Sequence, residues 1–189
     1  FKQKMVDGQQ VELPDNWLAN GNVWEMAVPE DTCQIQFGGH LEEYFDNGKR
    51  KFRLVDATTI EAVPYDMPTV GYDSTMVNML RVWSARSPKR IDMDSFNSGQ
   101  YVQAMAEREL AEVISKVLYP EDNTYNGKKL RLMQEYFLVS ATLQYAIQDF
   151  KRIYGANMDL LPEKVAFHIN DTHPAMVIPE LMRILVDEE

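Results

Sequence analysis

Two short polar clusters carry the side chains in this sequence that could do chemistry. The first is Glu121-Asp122-Asn123, with Arg131 eight positions on; the second is Asn170-Asp171-Thr172-His173, with His168 just before it. Asp122 and Asn123 fall between two apolar-periodic segments, where such residues serve as a turn or as the N-cap of the second helix. Arg131 reads by itself as a solvated helix charge. Asp171 and His173 precede Pro174, so Asp171 can complement a helix dipole while Pro174 sets the first turn. His168, Asp171 and His173 could also be read as metal ligands of a hydrolase, but their spacing matches no common zinc signature.

The elements that must position these groups differ between the two halves of the chain. Residues 1–32 are turn-rich, punctuated by Asp7-Gly8, Pro14-Asp15-Asn16 and Asn20-Gly21-Asn22, with Trp17, Leu18, Val23 and Trp24 expected to pin loops onto a core. From Gln34 the pattern is strand-like, and Asp46-Asn47-Gly48 is a hairpin signal. Thr59–Val63 reads as a strand ended by Pro64, and Val77–Trp83 as another short strand. Residues 1–90 are therefore expected to be mostly β. Tyr101–Leu118 has helical apolar spacing with one charged face, and a second helix is expected from about Lys129 to Tyr154. Its apolar positions nearly encircle it, which predicts burial, and Gly155 suits its stop. Residues 97–155 thus hold two helices around a polar break. Residues 160–189 read as a β-α unit: strand Val165–Ile169, the polar turn, then a helix. In sheets of the Rossmann type, ligands sit at such strand-to-helix turns.

Composition narrows the function classes. The 189 residues are 45% apolar, enough for a packed core, and 19 basic residues against 29 acidic ones give a net charge of −10. So acidic a surface disfavours phosphate backbones and anionic lipid, so neither nucleic acid nor membrane is an expected partner. No apolar run approaches the roughly 20 residues needed to span a bilayer. Cys33 is the only cysteine, which excludes an internal disulfide and suits a reducing, cytoplasmic setting. The chain opens without Met and stops directly after the apolar run Met176–Val186, so both ends are expected to be internal cuts in a longer polypeptide.

Longer runs carry a resemblance. Lys116-Val-Leu-Tyr-Pro-Glu-Asp-Asn123 followed by Gly127-Lys-Lys-Leu-Arg-Leu-Met-Gln-Glu-Tyr-Phe137 resembles the α-glucan phosphorylases (glycogen, starch and maltodextrin phosphorylases). So do Asn170-Asp-Thr-His-Pro174 with Ile178-Pro-Glu-Leu-Met-Arg183, and the shorter matches Trp17-Leu18, Gly21-Asn22, Trp24-Glu25, Pro64-Tyr65-Asp66 and Arg81-Val-Trp-Ser-Ala85. The order and spacing follow the family across the whole chain. The resemblance implies an α/β fold, part of the N-terminal Rossmann-like domain of a GT-B type glycosyltransferase. It implies phosphorolysis of the terminal α-1,4 bond of a glucan by inorganic phosphate, giving α-glucose 1-phosphate with retained configuration. It also implies pyridoxal 5′-phosphate on a lysine of a C-terminal domain, its phosphate acting as proton shuttle. That lysine's glycine-rich motif is absent here, so the isolated chain is expected to be inactive.

The resemblance also assigns roles. Asp122 and Asn123 match a mobile gate loop, where the carboxylate guards the phosphate position and the asparagine hydrogen-bonds a glucosyl unit; Arg131 matches an arginine that follows it. Asp171 and His173 match a turn at the active-site channel, where they would bind sugar hydroxyls directly or through water. The Tyr101–Tyr119 helix matches one that packs across a homodimer. Where the animal enzymes carry an arginine pair for activating phosphates, this chain has Gln148 and Asp149, and a carboxylate cannot replace a guanidinium there. Activation by phosphoserine or nucleotide at that position is therefore expected to be absent, as in a constitutively active microbial-type enzyme. Thr124 stands where those enzymes have an aromatic, which puts their purine site in doubt. The alternative is a non-catalytic glucan-binding or dimerisation module of the same fold.

Overall fold

The structure is a computed structural model that describes residues 2–13, 21–89, 91–117 and 119–187. Trp17, Leu18 and the Pro14-Asp15-Asn16 turn lie outside the described residues, as does Leu118. The architecture is mixed α/β, strands first and helices after. The chain forms two compact units: Phe1–Thr32 with Ile60–Gln134, and Cys33–Thr59 with Glu135–Glu189. They interleave along the sequence and do not coincide with the blocks 1–90, 97–155 and 160–189.

In the first unit, β1 (Lys2–Val6) and β2 (Gln9–Leu13) pair antiparallel around Asp7-Gly8. Both turn residues have positive φ, the mirror-image turn whose twist suits a hairpin. This hairpin was not expected, because its strands are polar and largely exposed and show no alternation. Val23 and Trp24 do not pin a loop onto the core; they are 91% and 70% exposed. Strand β3 (Met26–Ala27) pairs with the long β7 (Thr58–Val70), which pairs along its other side with β8 (Val77–Arg86). Pro64 does not end β7. Its carbonyl accepts the Val28 N–H at 3.0 Å, so its imide nitrogen points to that same side and leaves the β8 ladder intact. The helix α1 (Met93–Asn97) is capped by Asp92, and α2 (Tyr101–Lys116) follows. Ala104, Ala111 and Ile114 on α2 are buried, as are Trp83 and Ala85 on β8. Ser115 Oγ accepts the Ala85 N–H at 2.9 Å, joining α2 to that strand.

Helix α3 (Tyr125–Tyr154) begins in the first unit and continues into the second. Gln134 on α3 donates to the Ile114 and Val117 carbonyls at 3.0 and 2.8 Å, satisfying groups that the end of α2 leaves open. The expected burial of α3 holds from Phe137 to Phe150, but Leu132 and Ile153 are 54% and 62% exposed. Gly155 ends the helix with φ +78 and its N–H on Lys151 O.

The second unit contains β4 (Cys33–Phe37) and the hairpin of β5 (His40–Asp46) and β6 (Lys49–Val55), closed by Asn47-Gly48 as expected. Short helix α4 (Leu161–Lys164) and α5 (Val177–Asp187) complete it. Val139, Leu143, Ile147 and Phe150 of α3 form one core with Leu161 and Ile184. The expected strand Val165–Ile169 does not form. Val165 and Phe167 pack against this core, but the segment's backbone pairs with no strand among the described residues, and a strand requires a ladder. Pro174 likewise starts a turn ahead of α5 instead of its first helical position, with the Val177 N–H on Pro174 O at 2.9 Å.

Candidate functional site

The segment before α3 is built on a close approach. A Cβ placed on Gly127 would lie 2.1 Å from Glu121 O and 3.0 Å from Asp122 Cα, so only glycine lets this backbone lie on the first turn of α3. Asn123 donates to Glu121 Oε1 at 2.7 Å. The cap of α3 is Thr124, not Asp122 or Asn123: its Oγ1 accepts the Gly127 N–H at 3.1 Å and its carbonyl the Lys128 N–H at 3.0 Å. Asp122 and Asn123 are both exposed and available to a ligand. The Arg131 guanidinium stands 4.8 Å from the Tyr119 ring centroid, a cation–π contact that fixes it near this segment, and Tyr119 has φ +53. The first unit thus brings Asp122, Asn123 and Arg131 onto one stretch of chain.

Asp171 and His173 belong to the second unit. Asp171 has φ +60, a left-handed conformation that aspartate tolerates, and its Oδ1 accepts the Thr172 N–H at 2.8 Å. The His173 ring lies between two carboxylates. Its Nε2 is 3.2 Å from Asp171 Oδ2 and its Nδ1 is 3.4 Å from Glu135 Oε1 on α3. His168 is exposed and takes no part. Among the described residues no group of three or more His, Cys, Asp or Glu is arranged to hold a metal ion. Glu135 was missed in the sequence because it sits 38 residues from His173, and helical periodicity does not report which distant turn a charge faces.

Behind this turn, the α5 carboxylate Glu180 is 4% exposed and fully engaged. Ser140 Oγ donates to it at 2.6 Å, Tyr136 OH at 3.3 Å, and Arg183 through Nε and Nη2 at 2.8 and 3.0 Å. Burial, and then the Glu180 charge, push the Tyr136 phenol above its usual pKa. Every described lysine is exposed or half-buried, and the pKa of Lys116 is pushed up by the hydrogen bonds it donates to Glu112 and Glu109. A Schiff-base lysine needs the opposite, a desolvated site that depresses its pKa, so the residues present do not fit a pyridoxal attachment site.

The carbohydrate phosphorylase family matches residues 1–189. The chain belongs to that family. It is 49% identical to the muscle form of glycogen phosphorylase from Homo sapiens over 196 aligned residues, covering 100% of this chain and 23% of that protein. The muscle form from Ovis aries and the brain form from Homo sapiens are each 48% identical with the same coverage. The chain therefore spans about a quarter of the length of these curated relatives. No helix among its described residues is long and apolar enough to cross a membrane.

Proposed function

We propose that this chain is part of an α-1,4-glucan phosphorylase, which transfers a terminal glucosyl unit to inorganic phosphate and releases α-glucose 1-phosphate. The observation that carries the reading is 48–49% identity along the entire chain to glycogen phosphorylases. On this reading the chain belongs to the N-terminal Rossmann-like domain of a GT-B glycosyltransferase. The enzyme is cytoplasmic, depends on pyridoxal 5′-phosphate held by a lysine outside these residues, and pairs as a homodimer through the helix that begins at Tyr101, α2.

The chain's own residues bind and gate. Asp122 guards the phosphate position: a carboxylate beside a phosphate repels it, so displacing the segment raises phosphate affinity. Asn123 hydrogen-bonds the glucosyl unit, and Arg131 supplies positive charge behind the segment. The turn carrying Asp171 and His173 binds sugar hydroxyls, directly or through water. Gln148 and Asp149 bind no activating phosphate, so AMP does not activate the enzyme through this position; Asp149 is instead ion-paired with Arg152.

The test is glucose 1-phosphate release from maltodextrin and inorganic phosphate by the full-length protein, with and without pyridoxal phosphate. Cofactor-dependent release supports the reading. No release from folded, cofactor-loaded protein overturns it in favour of a non-catalytic glucan-binding module.

A further inference from the structure

The geometry points to His173 as a positioning residue, the middle of a Glu135–His173–Asp171 clasp that leaves Asp171 as the group of this turn that meets the ligand. The inference rests on the proposed glucan site. Imidazole has two ring nitrogens, and each faces a carboxylate oxygen: Nδ1 that of Glu135 at 3.4 Å, Nε2 that of Asp171 at 3.2 Å. Carboxylates are acceptors only, so both links form together in the doubly protonated imidazolium, whose two N–H groups then serve Glu135 and Asp171.

Asp171 is in the opposite position. A carboxylate offers about four acceptor sites. Oδ1 takes the Thr172 N–H and Oδ2 faces His173, so acceptor sites remain on a side chain that is 67% exposed. A group with spare acceptor capacity and an open approach suits sugar O–H donors. Asp171 also holds a left-handed backbone conformation that aspartate tolerates, so what fixes the turn is the side-chain contacts around it. His173 supplies that restraint by tying the turn to Glu135 on α3, the rigid element beneath. Glu135 therefore acts on the ligand through His173 and Asp171.

The experiment is a double-mutant cycle in the full-length protein. Glu135→Ala and His173→Ala are each expected to lower kcat/KM about fivefold, in the range of one lost charge-assisted hydrogen bond at a partly exposed site. The double variant is expected to lose no more than either single one, because both act through one link. Glu135→Gln, whose amide oxygen still accepts from Nδ1–H, is expected to recover most of the loss. Independently of activity, amide hydrogen exchange of the 168–176 peptide is expected to rise in Glu135→Ala and His173→Ala alike. Additive losses would mean that His173 touches the ligand itself and would overturn the assignment. Unchanged exchange at 168–176 would overturn the clasp. A wild-type protein releasing no glucose 1-phosphate would overturn the proposed activity, while the exchange data would still decide the clasp.

Discussion

Two polar turns lead into helices in this chain, Glu121–Thr124 into α3 and Asn170–His173 into α5, and they are fastened by different means. The first is held locally, by Asn123 on Glu121, by Thr124 on Gly127, and by a backbone approach that only a glycine at 127 permits. The second is held from a distance, by Glu135 through His173 and by a helix anchored through Glu180 to Ser140 and Tyr136. A locally held turn can be displaced without unfolding anything else, as a gate requires. A turn tied by side chains to a long helix moves only with that helix, as a fixed subsite requires.

The largest expected effect is therefore at the distant anchor. Glu180→Ala leaves the buried Ser140 hydroxyl and the half-buried Tyr136 hydroxyl without their acceptor, while Arg183 can turn to water. That should cost about 3 kcal/mol in denaturant unfolding. Unchanged stability would show that α5 is held by apolar packing alone and would dissolve the contrast. Next in size is the local anchor. Gly127→Ala puts a methyl into the Glu121 carbonyl, so the segment must shift, at a cost of about 2 kcal/mol. Limited proteolysis should then cut faster at 119–124 and leave 168–176 unaffected. Faster cutting at both places would mean the two turns are not fastened separately.

The same contrast explains what the sequence revealed. Features fixed by neighbouring residues were readable: the Asn47-Gly48 hairpin and the Gly155 stop both depend on contacts within a few positions, whereas the apolar Val102 and Leu110 of α2 are exposed. Features fixed by distant partners were not. Pro64 reads as a strand end until its carbonyl is seen bonded to Val28, away from β8. Val165–Ile169 has the composition of a strand, but a ladder is a property of two segments and cannot be read from one. The β1–β2 hairpin escaped notice for another reason: its turn was visible, yet its exposed strands lack the alternation that burial imposes. For the candidate site, the two clusters were legible through the family resemblance, whereas Glu135 was not, because nothing in a helical pattern reports which charge faces a turn 38 residues away.

Two smaller effects sharpen the contrast. Thr124→Ala removes the cap of α3 and should cost about 1 kcal/mol, with no change in exchange at 168–176. Tyr136→Phe removes one 3.3 Å hydrogen bond to Glu180 and should cost about 0.5 kcal/mol near neutral pH. Its signature lies in alkali. Burial and the Glu180 charge raise the folded-state pKa of Tyr136 above 10.0, so folding favours the neutral phenol. That contribution is present in full below pH 10 and is lost as pH rises through the folded value, since the unfolded chain releases the proton more readily. Wild-type stability should therefore fall more steeply above pH 10 than that of Tyr136→Phe. Equal alkaline slopes would place the phenol in water, free of Glu180, and of the two hydroxyls on Glu180 only that of Ser140 would then tie α5 to α3.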